Sequence, residues 1–518
     1  PLLLSLFLVR GFIATNNFKG MLGSILKTSG LNVEFKKVEL EGFGKLRIDD
    51  LKVKDQSGNI VIDAKKATAK INLMLPSRLS KIEVSDATVN LDRYPQNKFN
   101  VFNILKPDDK KKVTYDNTNR LGKLYFYNSV LNYTDTSYEK KIAKTLKNVN
   151  GYLEVSKSRG FSLEAKGSDG DESIKVFLDQ KVNTLQSFKS MFDKTKNTDP
   201  KKKEFHLGFE FKNVNVTESL GQYVPLDMIK AKDGVLTGNL ELTQKHKENV
   251  MKVKGKLDVK NGTIQYDDFD GDIENVDAVI DMKNDDITVD AKTSIENHPV
   301  TFKMNYSIPK QNVNIKLTTD NVPFKEIARY KVIKGFNVNA SGNVTGELDA
   351  AVNVQSKEFT LDGKFSSPQI TLANYRFRDL KTSLKMSKEQ ILTLENTTFH
   401  FDETINGFKV KNDVLVPKFT YNVKEKQGNG NYILTNRGSD YSVAQITGEA
   451  SINKENIVTG NFNSNEISGN YVINTKEQQM NINATGRDYL TVNYGGNSYD
   501  VNPKVNNLVL KFNNKNIL

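Results

Sequence analysis

The chain has 518 residues, 37% of them hydrophobic and 26% charged, with a mean hydropathy of −0.52, so its cores must be thin or one-sided. The 74 Lys and Arg exceed the 62 Asp and Glu to give +12, but the cations are chiefly Lys spread along alternating segments. Without an Arg cluster or a nucleic-acid motif, this charge argues against a nucleic-acid partner. There is no Cys, which excludes disulfides, thiolate zinc sites and a Cys nucleophile.

The chain opens on the apolar residues Leu2, Leu3, Leu4, Leu6, Phe7, Leu8 and Val9. Residues 1–14 are read as the end of a trimmed transmembrane anchor, because a full span needs about 20 apolar residues. The rival, a secretory signal core, lacks the basic start and the small-x-small cleavage site. In residues 15–30, Phe18, Met21, Leu22, Ile25 and Leu26 fall on one helical face, with Asn16 as a cap and Gly30 as a stop. This amphipathic helix would either lie on the membrane surface or plug the first strands.

From Leu31 the apolar period changes from helical to strand-like. Ala67, Ala69, Ile71, Leu73 and Leu75 alternate with polar residues, as do Met251, Val253, Leu257 and Val259, and again Val300, Phe302, Met304, Tyr306 and Ile308. One apolar and one charged face per strand predicts an all-β, antiparallel sheet with one solvated side. Charged, Pro-containing seams at 107–120 and 193–204 bound a first β unit (31–106), a second (121–182) and a helix with a charged linker (183–204). Short helices are expected at 184–193 and 217–230. The repeat counterpart of the latter, PFKEIARYKV, begins at Pro323, which suits a first helical turn.

A long repeat follows: Gly234, Gly238 and Gly255 recur as Gly342, Gly346 and Gly363, and 342 − 234 = 108. DGVLTGNLEL matches SGNVTGELDA in register, and Asn213 matches Asn321, which defines two β repeats, 205–312 and 313–420. Further strands fill 421–518, and the sheet is expected to continue beyond them. Tandem units without chemistry build extended surface, not an active site.

No catalytic cluster, P-loop or dinucleotide fingerprint is present, so neither an enzyme nor a cofactor is expected. His206, His246, His298 and His400 stand too far apart for paired metal ligands and are read as structural. The acidic run Asp267, Asp268, Asp270 and Asp272 departs from a calcium loop, because Gly271 follows the second alternating acid. Its repeat counterpart carries Arg376 and Arg378, so a polar hairpin turn is expected.

An apolar start, an amphipathic helix, and then strand phrases at Leu51–Gly58, Ala64–Leu73, Ile82–Arg93 and Phe99–Leu105 together resemble the opening of the AsmA-like / TamB family. GKLYFYNSVLNYTD (122–135) resembles its next element, and GVLTGNLEL and GKLDVKNGTIQY its repeating body. The resemblance implies a single-pass inner-membrane protein whose bulk crosses the periplasm of a diderm bacterium as a long curved sheet. It implies that phospholipid is carried along an apolar groove, with an outer-membrane insertase-family protein as a further partner. Candidate groove residues are Ile71, Leu73, Leu75, Met251, Val253, Leu257, Val259, Val300, Phe302, Met304 and Tyr306. The competing arrangement is a closed sandwich array. The competing functions are assembly of outer-membrane or autotransported β proteins, and a β-repeat surface adhesin.

Overall fold

The structure, a computed structural model, describes residues 32–511 apart from 42–44, 73–74, 96–97, 101–120, 138–140, 157–159, 181–204, 218–228, 245–251, 267–269, 330–339, 373–374, 475–476 and positions 296, 328, 357, 406, 478 and 503. The anchor, the amphipathic helix, both seams and the helix expected at 184–193 lie outside the described residues. So does the helix expected at 217–230, except at its ends: Ile229 opens a strand. The chain divides into two units, residues 1–262 with 281–285, and residues 263–280 with 286–518.

Unit one carries β1 (Asn32–Glu34), β2 (Lys37–Glu41), β3 (Lys45–Lys54), β4 (Ile60–Asn72), β5 (Leu75–Tyr94), β6 (Lys98–Phe99), β7 (Leu121–Asp135), β8 (Ile142–Ser156), β9 (Gly160–Asp169), β10 (Glu172–Gln180), β11 (Phe205–Asn215) and β12 (Ile229–Gln244). β13 (Lys252–Tyr266) and β14 (Asp272–Asn284) give residues to both units. From β3 to β12 the strands pair in ladder order, with β7 taking its place beside β5.

The expectation of a wholly antiparallel sheet is corrected at one pair, because β5 and β7 run parallel. Parallel neighbours need a crossover between them. Side chains 42 residues apart hold the register: Asn132 Nδ2 donates to Asn90 Oδ1 (3.1 Å) and Arg93 Nη1 to Asp135 Oδ2 (2.9 Å). Asp135 is fully buried and also accepts from Tyr133 Oη and the Ser137 backbone, so its charge is matched. Nearby lies the small core of this unit, where Ala64, Ala67, Val84 and Ala87 are buried against Ile48, Ile82 and Leu124.

Unit two carries β15 (Asp286–Ile295), β16 (His298–Ser307), β17 (Asn312–Pro323), α1 (Phe324–Ile327), β18 (Ala340–Asn353), β19 (Phe359–Leu372), β20 (Tyr375–Met386), β21 (Ile391–Ile405) and β22 (Phe408–Asn422). Shorter strands follow: β23 (Gln427–Asn436), β24 (Gln445–Ile452), β25 (Ile457–Asn463), β26 (Ile467–Asn474), β27 (Gln479–Gly486), β28 (Leu490–Tyr494), β29 (Asn497–Val501) and β30 (Lys504–Lys511). Each strand from β15 to β27 pairs antiparallel with the next, β27 pairs with β30, and β28–β29 is a separate hairpin.

The repeat is visible as identical local geometry. In β11–β12, Phe211 faces Gly238 and Val214 faces Leu236; in β17–β18, Thr319 faces Gly346 and Val322 faces Val344, each position shifted by 108. The bulge between these pairs holds Asn213 (φ 50) or Asn321 (φ 55) in the left-handed region, which Asn tolerates better than most residues. The Asn213 amide donates to Thr237 Oγ1 (3.1 Å) and the Asn321 amide to Thr345 Oγ1 (2.8 Å), and 345 − 237 = 108 as well. Asn128, Asn148 and Asp379 mark further bulges of this kind.

Candidate functional site: the apolar face

Side chains alternate across a strand, so register decides whether apolar positions meet across neighbours. In unit two they do. One cross-strand row starts Val289, Met304, Ile315, Ala350, Leu361, Met386 and continues through Leu392, Tyr421, Gly428, Ile452, Val458 and Ile473 to Met480. The next row on the same face starts Ala291, Phe302, Leu317, Leu348, Gly363, Leu384 and continues through Leu394, Phe419, Gly430, Ala450, Gly460 and Tyr471 to Ile482. No polar side chain interrupts either row.

Unit one repeats the pattern. Leu46, Ala69, Ile82, Leu124, Leu153 and Leu163 form a row that continues through Leu178 and Leu207 to Leu242.

Burial separates the unit two rows from a closed core, whereas Leu46, Ala69 and Leu178 of the unit one row are buried. In unit two every row residue with a side chain is half-buried, and Gly363 alone is fully buried. Under a second packed layer such residues would be nearly inaccessible. They are shielded by row neighbours, and no protein layer among the described residues seals them.

The opposite face is ionic. Asp290, Lys303, Lys316, Asp349, Asp362 and Lys385 form the row behind Met304 and border a hollow of about 1160 Å³ whose lining also includes Met304, Ile315 and Leu361. Its charges largely match one another, with Lys303–Asp290 at 3.4 Å, Lys316–Glu347 at 3.0 Å and Lys385–Glu395 at 2.7 Å. The hydrogen bond and charge of Lys316 hold the Glu347 carboxyl below its ordinary value, and Lys385 does the same for Glu395. These pairs are exposed and contribute little each.

Of the candidate residues, Val300 is buried, whereas Phe302, Met304 and Tyr306 are half-buried and share the apolar face, Tyr306 beside Ile287 and Val313. Val253, Leu257 and Val259 are half-buried on β13. Leu73 and Met251 lie outside the described residues. Ile71 sits at a register shift, and Leu75 pairs with Asn72, so Leu75 opens the returning strand and does not extend the alternation of β4. The anchor residues Leu2, Leu3, Leu4, Leu6, Phe7, Leu8 and Val9 are not among those described. No helix among the described residues is long and apolar enough to cross a membrane.

His206 packs edge-on against Phe177 and lies 3.4 Å from Glu241, while His400 Nδ1 lies 2.6 Å from Asp413. Among the described residues no His, Asp and Glu group could hold a metal ion. Gly271 (φ 99) forms the turn after Asp270, whose carbonyl accepts from Arg329 Nε at 2.7 Å. Arg329 also pairs with the buried Glu326 of α1 at 2.8 Å, which ties this turn to the helix after Pro323.

Sequence reading overlooked the aromatic residues of β22–β27 that lie over glycines. Phe419 faces Gly430, Tyr421 faces Gly428, Tyr432 faces Gly448, Phe462 faces Gly469 and Tyr471 faces Gly460. Each ring fills the space that a glycine side chain would take: a Cβ would stand 2.8 Å from Phe419 Cδ2, 2.9 Å from Tyr421 Cδ2 or 2.6 Å from Phe462 Cζ, and would collide with the Tyr432 and Tyr471 rings. The signal was present as a Gly-Asn-aromatic triplet at Gly430–Tyr432, Gly460–Phe462 and Gly469–Tyr471.

No family model matches the chain, and no curated protein matches it by sequence.

Proposed function

We propose that this protein carries phospholipid between membranes, with acyl chains lying on the apolar face of its sheet, curled as a groove, and headgroups toward water. The unbroken apolar rows of unit two, with no sealing layer among the described residues, are the observation that supports this reading. A large unsealed apolar surface marks a ligand or partner site, and each CH₂ removed from water contributes about 0.8 kcal/mol. The occupant that suits such rows has no hydrogen-bonding needs. An extended peptide laid face-on would leave polar backbone groups without partners over Val289, Met304 and Ile315.

The apolar start of the chain and the AsmA-like resemblance supply the location in this proposal: a single-pass inner-membrane anchor, the bulk in the periplasm, and a partner of the outer-membrane insertase class. Native mass spectrometry of the protein released gently from membranes tests the reading. Phospholipid retained in defined stoichiometry is the expected result, and a lipid-free folded protein would sink it.

A further inference from the structure

Within the proposed lipid track, on which this inference rests, the surface is of two kinds. From β15 to β21 the rows are built mainly from aliphatic side chains, such as Met304, Ile315, Leu361 and Leu392, with Phe302 among them and one ring, Phe365, over Gly346 and Gly363. From β22 to β27 rings alternate with glycines, each ring laid across the strand beside it. Glycine inside a strand loses packing and is normally unfavourable; a ring covering it restores the contact. Repetition over successive strands covers these glycines with rings, beside the aliphatic Ile452, Val458, Ile473, Met480 and Ile482 of the same face.

The hydroxyl of Tyr432 identifies the kind of ligand such a floor suits. It donates to the Asn461 carbonyl at 2.8 Å, so the polar end of the ring is spent on the sheet and the apolar face remains for the ligand. A floor for sugars or peptides would present polar groups beside its rings. Desolvation, followed by hydrogen bonding with Tyr471, raises the Tyr432 hydroxyl above its ordinary range, so the floor stays uncharged.

We infer that the ring-over-glycine pavement of β22–β27 is a holding site for phospholipid acyl chains, laid flat on the faces of Phe419, Tyr421, Tyr432, Phe462 and Tyr471.

The test uses the full chain reconstituted with a diacyl phospholipid that carries a diazirine in one acyl chain, photolysed and mapped by peptide mass spectrometry. Label should concentrate on the five rings, several-fold above the aliphatic positions of β15–β18. Tyr432→Ser with Tyr471→Ser should lose most label on β22–β27 and keep it on Met304 and Ile315. Label on the aliphatic rows without label on the rings would overturn the holding site and leave the track standing. Label absent from the whole apolar face would overturn both. Should the double variant fail to fold, the native map alone decides.

Discussion

Phe302 and Met304 show what kind of surface the apolar face is. Each is half-buried, Phe302 beside Ala291 and Leu317 and Met304 beside Val289 and Ile315, with the exposed Lys303 and Asn305 on the other side. A packed core would lose several kcal/mol to a buried carboxylate there. On an unsealed face, Phe302→Glu with Met304→Glu should keep its melting temperature within a few degrees and lose bound phospholipid. Lys303→Glu with Asn305→Glu should keep both, and a collapsed first variant by circular dichroism would argue for a sealed core. Asn321 tests the bulge instead: Asn321→Ala at φ 55 should lower stability by about 1 kcal/mol. Asn321→Gly should melt close to the native temperature, and equal melting of all three would show that the bulge tolerates any residue.

At the scale of strands, alternation was the legible part. Val300, Phe302, Met304 and Tyr306 were placed on one face by period alone, and β16 holds them there. Asn213 and Asn321 were visible as a 108-residue match, but their role as left-handed bulge residues was not, because bulges depend on the partner strand. The reversal between Asn72 and Leu75 was hidden for a related reason: the turn interrupts an apolar alternation that looks continuous in the chain. The parallel β5–β7 pair was also illegible, since hydrophobic period carries no strand direction.

Because Phe211/Gly238 and Thr319/Gly346 share one register, joining Asn213 directly to Val322 deletes 108 residues without changing the ladder phase. That deletion should give a β-rich circular dichroism spectrum and melt like the native protein, whereas a deletion one residue longer should not, because it turns every later side chain to the wrong face. Equal behaviour of the two would remove register as the principle. The strands also carry a salt-sensitive increment from pairs such as Glu347–Lys316 and Glu395–Lys385. Their carboxyls are depressed in the fold, so the increment is complete above the ordinary carboxylate value of 4.5 and fades as pH falls through the lower folded values. Melts at neutral pH and near pH 3, each with and without added salt, should show salt sensitivity from these pairs fading with acid. Unchanged sensitivity would assign it to other charges.

For the molecule as a whole, stability in each unit must come chiefly from ladder bonds and row contacts between neighbours, in the manner of repeat proteins. In unit two the strands shorten along the chain, from 15 residues in β21 and β22 to 7 in β25 and 8 in β26 and β27. The shorter strands share fewer cross-strand bonds with their neighbours than β21 and β22 do with each other, and no second layer among the described residues compensates. Opening should therefore be graded and not all-or-none: backbone amides of β24–β27 should exchange with deuterium first, at a free energy below that of β19–β22, and β28–β29, whose outer strand is wholly exposed, earlier still. One common exchange rate across these strands would mean that the sheet breaks as a block. A graded profile would let the later strands fray while the earlier ladder remains intact.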